Sequence, residues 1–236
     1  MKKPLLFLTT LSCISFSNFA QSFIPAFDRF SGKEVAYIYL ENGTKVEGTI
    51  DDLDRKKGLI EEVTILPTGQ KKKKTFEPKD IKTMYLPASG YNKLANSLDQ
   101  AYNAQKWKNN SVNMEIINKG YAYFEKVKVK IKKDTEELLM QMVNPSFSLK
   151  IKVFHDPLAQ ESMRFGVGGI TMAGGDDKSY YVQVGNEVAE KLKKKDYDDE
   201  YTNLYKDCPT LLQKLKSDHR WTNFDKHLLE YTTICK

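Results

Sequence analysis

EVAYIYLENGTKVEGTI, residues Glu34–Ile50, reads as two β-strands joined by a tight hairpin. Branched and aromatic residues fill Glu34–Leu40, which suits the pleated, half-buried surface of a strand. Asn42-Gly43 supplies two residues that tolerate positive φ, as a two-residue hairpin turn requires. Lys45–Ile50 returns, and Gly48 in mid-strand indicates a bulge or sharp bend. Three more strand-like runs follow, Leu59–Leu66, Lys72–Phe76 and Ile81–Leu86, the first ending at the turn Pro67-Thr68-Gly69. Five short strands, tight turns and a bent second strand predict a small SH3- or Sm-like β-barrel over residues 21–88.

Working outward, Leu94, Leu98 and Ala101 or Tyr102 recur at helical spacing before Asn109-Asn110, so residues 89–110 are expected to form a linker helix. Residues 111–184 return to β character. In Glu125–Ile131 strict alternation puts Val127, Val129 and Ile131 on one face and Lys126, Lys128, Lys130 and then Lys132 on the other. Leu138–Val143 and Leu149–Phe154 continue the pattern, the latter with Lys150 and Lys152 opposite its apolar residues. The expectation is an antiparallel β-meander with one apolar and one basic face. Residues 185–236 read as helical and packed on the meander. Asn186–Lys195 is a lysine-rich amphipathic segment. Cys208-Pro209 resembles a helix start, with Leu211, Leu212 and Leu215 as its apolar face. Thr222 is placed to cap a last helix on which Phe224, His227, Leu228 and Tyr231 share a side. The fold class is α+β.

MKKPLLFLTTLSCISFSNFA, residues 1–20, has a basic start, a short apolar core and a small residue at Ala20. That is the layout of a secretory signal peptide, too short to span a bilayer. It places the mature chain in the periplasm or outside the cell; lipidation at Cys13 is the less favoured alternative. About 216 residues remain, enough for one large or two small domains. Hydrophobic residues at 40% can support a packed core. No other apolar run approaches the ~20 residues of a membrane helix. The formal charge is +6, and +4 once Lys2 and Lys3 leave with the leader, which does not argue for a nucleic-acid partner. Cys208 and Cys235 are an even pair in an oxidising compartment and are expected to bridge.

Candidate chemistry is sparse. Gly166–Gly175 lacks the Lys-Ser/Thr ending of a phosphate loop and reads as a turn or bent hairpin. His155, His219 and His227 are the only histidines, and none forms the i,i+4 pair of a helical zinc site. No nucleophile elbow or spaced carboxylate pair stands out, so no catalytic, metal or cofactor residue is assigned. An extracytoplasmic enzyme, such as a hydrolase of envelope material, would draw on His155, Asp156 and the glycine-rich loop. The stronger reading uses Lys126, Lys128, Lys130, Lys132, Lys150 and Lys152. These lysines, with Lys150 and Lys152 extending the face of the other four, read either as a solvated outer face that discourages edge-to-edge aggregation or as a docking face for an anionic envelope surface or envelope protein, weakened by salt because exposed charges are screened.

Tyr180-Tyr181-Val182, Leu204-Tyr205-Lys206-Asp207-Cys208-Pro209 and His227-Leu228-Leu229-Glu230-Tyr231 with Cys235 carry a family resemblance. With Asn42 to Gly48 and Ala20-Gln21, they make the chain similar to a family of uncharacterised exported proteins of Bacteroidota-type Gram-negative bacteria. The resemblance implies export, a small β-barrel, a β-meander and a helical tail with an Asp-Cys-Pro element. It transfers no activity to any residue. The functional expectation is an exported, envelope-associated binding or scaffolding protein.

Overall fold

The structure is a computed structural model that describes residues 23–89, 112–159 and 178–235, together with the backbone of 170–171. The leader with Cys13, the expected linker helix after Ser89 and all of Gly166–Gly175 except 170–171 lie outside the described residues. The chain is α+β and mostly antiparallel sheet.

Its largest element is a seven-stranded sheet. The strands are β2 (Val35–Leu40), β3 (Lys45–Lys56), β4 (Leu59–Pro67), β5 (Lys74–Phe76), β6 (Ile81–Pro87), β7 (Tyr121–Ile131) and β8 (Asp134–Gln141), and the order is β5-β4-β3-β2-β6-β7-β8. The five strands read from residues 34–86 are all present. They continue through the β6–β7 ladder, where Tyr85 pairs with Tyr123, into the hairpin expected to open a separate meander. The order is linear, and β8 approaches β4 without laddering to it, so the sheet is curled and a closed barrel is not seen.

Alternation along each strand explains the curl. Ala36 and Ile38, Val63 and Ile65, Met84 and Leu86, Ala122 and Phe124, and Leu139 all point inward to one buried core. Gly48 sits where β3 crosses closest to β4. A Cβ there would lie 2.3 Å from the Leu66 carbonyl oxygen. Its absent side chain therefore serves close approach, while the register shifts fall later, at Ile50/Asp52 and Asp54/Arg55.

The other face of this sheet packs on a second sheet of order β12-β11-β9, formed by β9 (Ile151–His155), β11 (Ser179–Val184) and β12 (Glu190–Lys193). Phe154, Tyr181 and Ala189 meet Tyr85, Tyr123, Val127, Val129 and Met142 between the sheets, and the short helix α1 (Met114–Ile117) contributes Ile117. The remaining pair, β1 (Ala26–Phe27) and β10 (Ile170–Thr171), is antiparallel.

The lysine-rich segment, expected to be helical, is a strand over Glu190–Lys193, and only its end enters a short 3-10 turn, Lys194–Asp196. Glu190–Lys193 pairs with β11, with Leu192 opposite Tyr180, because Leu192 alternates with Lys191 and Lys193 and only the leucine faces the core. Likewise β9 ladders to β11 rather than to β8, touching the first sheet through the isolated bridge Met142–Phe154.

The third layer is helical: α2 (Tyr197–Leu204), α3 (Pro209–Leu215) and α4 (Phe224–Ile234). Ile151, Val153, Tyr180 and Val182 face it, against Leu211, Leu215, Trp221, Phe224, Leu228 and Tyr231. Pro209 begins α3 as expected. Thr222 does not cap α4; it lies within the 3-10 turn Trp221–Asn223, and Asn223 occupies the cap position. Cys208 and Cys235 are joined by a disulfide, with their Cα atoms 5.6 Å apart, tying the start of α3 to the end of α4.

Candidate functional site

The six lysines of the expected basic face do not share one surface. Lys126, Lys128 and Lys130 continue the inner face of β7 beyond Phe124, where the core ends. Lys132 lies past the strand, in the turn, at φ 59°. Lys152 projects from the same side of β9 as Phe154 and faces the first sheet from across the layer gap. Lys150 turns toward the helices, stacking over Tyr231 at 4.7 Å and lying 3.7 Å from Asp207. The sequence alternation was sound for β7, but assigning β9 to the same sheet was not.

Carboxylates answer most of these amines. Lys126 is half-buried, sits 2.7 Å from Glu41 and 3.6 Å from Glu137, and donates to the Lys79 carbonyl at 3.2 Å. Its hydrogen bond to Glu41 raises its pKa above the ordinary value, so it stays charged despite some burial. Lys130 meets Glu190 at 2.6 Å, and Lys152 meets Glu125. These pairs mute the broad basic field expected from sequence.

Three of the lysines nevertheless border one hollow. A hollow of about 210 Å³ opens at the seam between the sheets, lined by Lys126, Lys128, Lys152, Glu125, Gln183 and Glu187. The seam exists because two partners share one edge of β7. Strand β6 covers that edge as far as the Thr83–Glu125 pair. Further along, Ala189 takes over, donating to the Lys128 carbonyl at 2.8 Å and accepting from the Lys130 amide at 2.9 Å. The hollow lies between these two attachments. Lys128 is exposed there. Glu137, its cross-strand neighbour, leans to Lys126, so Lys128 makes no ion pair among the described residues. No sequence pattern marks this seam, because Asn186 to Ala189 reach β7 only through tertiary packing.

His155 and Asp156, proposed as enzyme candidates, sit elsewhere. Asp156 is 1% exposed, and its Oδ2 accepts from the Ser179 hydroxyl and the Lys191 amine, both at 2.7 Å, while Oδ1 accepts from the Leu158 amide. Burial works against the charge on Lys191, but the Asp156 hydrogen bond and charge outweigh it and raise its pKa. Lys191 also lies 5.0 Å over the Tyr181 ring. His155 is buried, and desolvation lowers its pKa. This cluster clamps β9, β11 and β12 together, and its Ser179 hydroxyl is engaged with Asp156. No group of three or more His, Cys, Asp or Glu residues suited to a metal occurs among the described residues.

The other buried histidine, His227, hydrogen-bonds the Tyr197 hydroxyl through Nδ1 at 2.7 Å. Desolvation lowers its pKa to about 4, although the charges of Asp218 and Glu230 pull the other way and His219 opposes protonation as well. An unfolded histidine titrates near 6.5, so below that pH the unfolded chain binds a proton that the folded one refuses. Stability therefore falls as pH drops from about 6.5 to about 4. Discounted for partial hydration, the loss is roughly 2 kcal/mol. Urea midpoints at pH 7 and pH 4.5 check this: His227→Gln, which keeps an acceptor for Tyr197, loses less stability across the interval than wild type.

Comparison of the chain with family models, curated proteins and solved structures finds no match.

Proposed function

We propose that this chain is an exported, envelope-associated binding or scaffolding module, and that the Lys128 seam is where it holds an acidic group of an envelope component. The observation that carries the reading is the exposed Lys128 at this hollow, left without a carboxylate among the described residues while its neighbours Lys126 and Lys152 are paired. The disulfide Cys208–Cys235 supports an oxidising location, since such bridges persist outside the cytoplasm. The leader-like residues 1–20 support the same location. No helix of the described residues is long and apolar enough to cross a membrane, so envelope association would run through a surface contact. The curled run of strands over residues 35–87 supports an SH3- or Sm-like scaffold for that contact.

Fractionation of the native host tests the reading. The protein should stay with the envelope fraction in low-salt buffer and wash off at about 0.5 M salt, where screening is within a few ångströms. Complete recovery in the low-salt wash would overturn it.

A further inference from the structure

We infer that Asn42 is a site of spontaneous deamidation and isoaspartate formation, a covalent modification of the hairpin turn between β2 and β3 that is independent of the seam. Asn42-Gly43 is the only Asn-Gly pair in the chain. The reaction needs the main-chain nitrogen of the following residue to reach the asparagine Cγ, and glycine leaves that nitrogen least shielded. Gly43 takes φ 82°, the left-handed conformation that ends a three-residue hairpin loop. A Cβ placed on it would meet no atom within 4 Å beyond its chain neighbours, so the rest of the fold does not cover this peptide. Asn42 and Gly43 are both exposed, which gives water and hydroxide access.

The turn also prepares the side chain. The Thr44 N–H donates to Asn42 Oδ1 at 2.9 Å. That closes an Asx turn, which curls the carboxamide back toward the Gly43 peptide. The same hydrogen bond draws electrons from Cγ and supports the negative charge that gathers on Oδ1 during attack. One contact works against the reaction. The Gly43 N–H donates to the Leu40 carbonyl at 3.0 Å and must be released before its nitrogen attacks. Residues 41–45 are all exposed, so local opening of the loop costs little and this bond slows the step without preventing it.

A base removes the Gly43 amide proton, the nitrogen bonds to Asn42 Cγ, and the Cγ–Nδ2 bond breaks to release ammonia. Water then opens the resulting succinimide at either carbonyl. One product is aspartate in the ordinary chain; the other is isoaspartate, in which the main chain runs through Cγ. Each adds a carboxylate beside Glu41, and isoaspartate also lengthens the loop by a methylene. Other asparagines are built differently. Asn113 spends its Oδ1 on the Glu115 and Ile116 amides at the start of α1. Asn144 is buried and precedes Pro145, whose nitrogen carries no proton.

The test is peptide mapping by mass spectrometry after several days at neutral and at mildly alkaline pH. The folded, disulfide-intact protein is incubated beside the same protein unfolded in guanidinium chloride. In the folded sample the Asn42 peptide should split into aspartate and isoaspartate forms, with isoaspartate in excess and the rate rising with hydroxide. The Asn113 and Asn144 peptides should keep their amides. Hydroxylamine, which opens succinimides, should cut the aged protein after residue 42. Gly43→Ala, whose methyl group shields the nitrogen, should convert several-fold more slowly. Because alanine is strained at φ 82°, Asn42→Gln serves as a second variant that leaves the glycine in place. Its longer side chain would have to close a six-membered ring, and it should show almost no conversion. Conversion confined to the unfolded sample, equal conversion at Asn113, or an Asn42→Gln variant that converts as fast as wild type would overturn the site.

Discussion

Replacing both Cys208 and Cys235 with alanine should lower unfolding stability by about 3 kcal/mol, the chain-entropy value for a bridge of this span. The bridge closes 27 residues of sequence. That loop contains α3, the Trp221–Asn223 turn and all of α4, which together cover one face of the three-stranded sheet. Both cysteines are themselves buried, so the change also removes packed volume. Next to the bridge, Tyr231 donates a 2.6 Å hydrogen bond to Asp207, which would have to hold the helix ends unaided. For a chain of this size the loss corresponds to a fall in Tm of roughly 6–12 °C. A double variant melting within about 2 °C of wild type would show that helical packing alone fixes the tail.

The second large effect is expected at Asp156. Asp156→Ala removes the acceptor shared by Ser179 and Lys191 and leaves a buried hydroxyl and the Leu158 amide without it. Breaking a buried pair by deleting one partner typically costs 3–5 kcal/mol. Lys191 retains a 30% exposed side chain and can turn its amine to water, which puts the expected loss at the low end, about 3 kcal/mol. Chemical denaturation measures it. Adding Lys191→Met should recover part of the loss, because the second change removes the stranded cation. If Asp156→Ala unfolds within about 1 kcal/mol of wild type, Asp156 is not the clamp described here.

Much of this architecture could be read locally. The hairpin at Asn42-Gly43, the alternation in β7, the start of α3 at Pro209 and the buried face of α4 all follow from spacing and turn chemistry within a few residues. The cysteine pair followed from count and compartment. What could not be read were choices made by distant partners. Glu190–Lys193 has the composition of an exposed helix turn, yet it becomes a strand because β11 offers an open edge and the core offers a place for Leu192. Lys150 and Lys152 alternate as cleanly as the lysines of β7, but alternation does not say which sheet a strand joins. The expected boundary at residue 88 failed to foresee that β6 and β7 ladder directly.

The candidate site was legible only in part. Sequence supplied Lys126, Lys128 and Lys152 as members of a basic set. It gave no sign of the carboxylates that pair with Lys126, Lys152 and Lys130, which are Glu41, Glu125 and Glu190, since each reaches its lysine from a separate segment. The gap in the β7 edge was equally invisible, because it arises from where β6 stops and Ala189 begins.

The most direct test of a binding role at this seam is the salt-sensitive retention of Lys128→Glu by the envelope fraction, measured beside Lys72→Glu. Both variants change the net charge by the same amount at exposed positions. The account predicts that Lys128→Glu is recovered in the low-salt wash while Lys72→Glu stays bound. Equal retention of the two would contradict it.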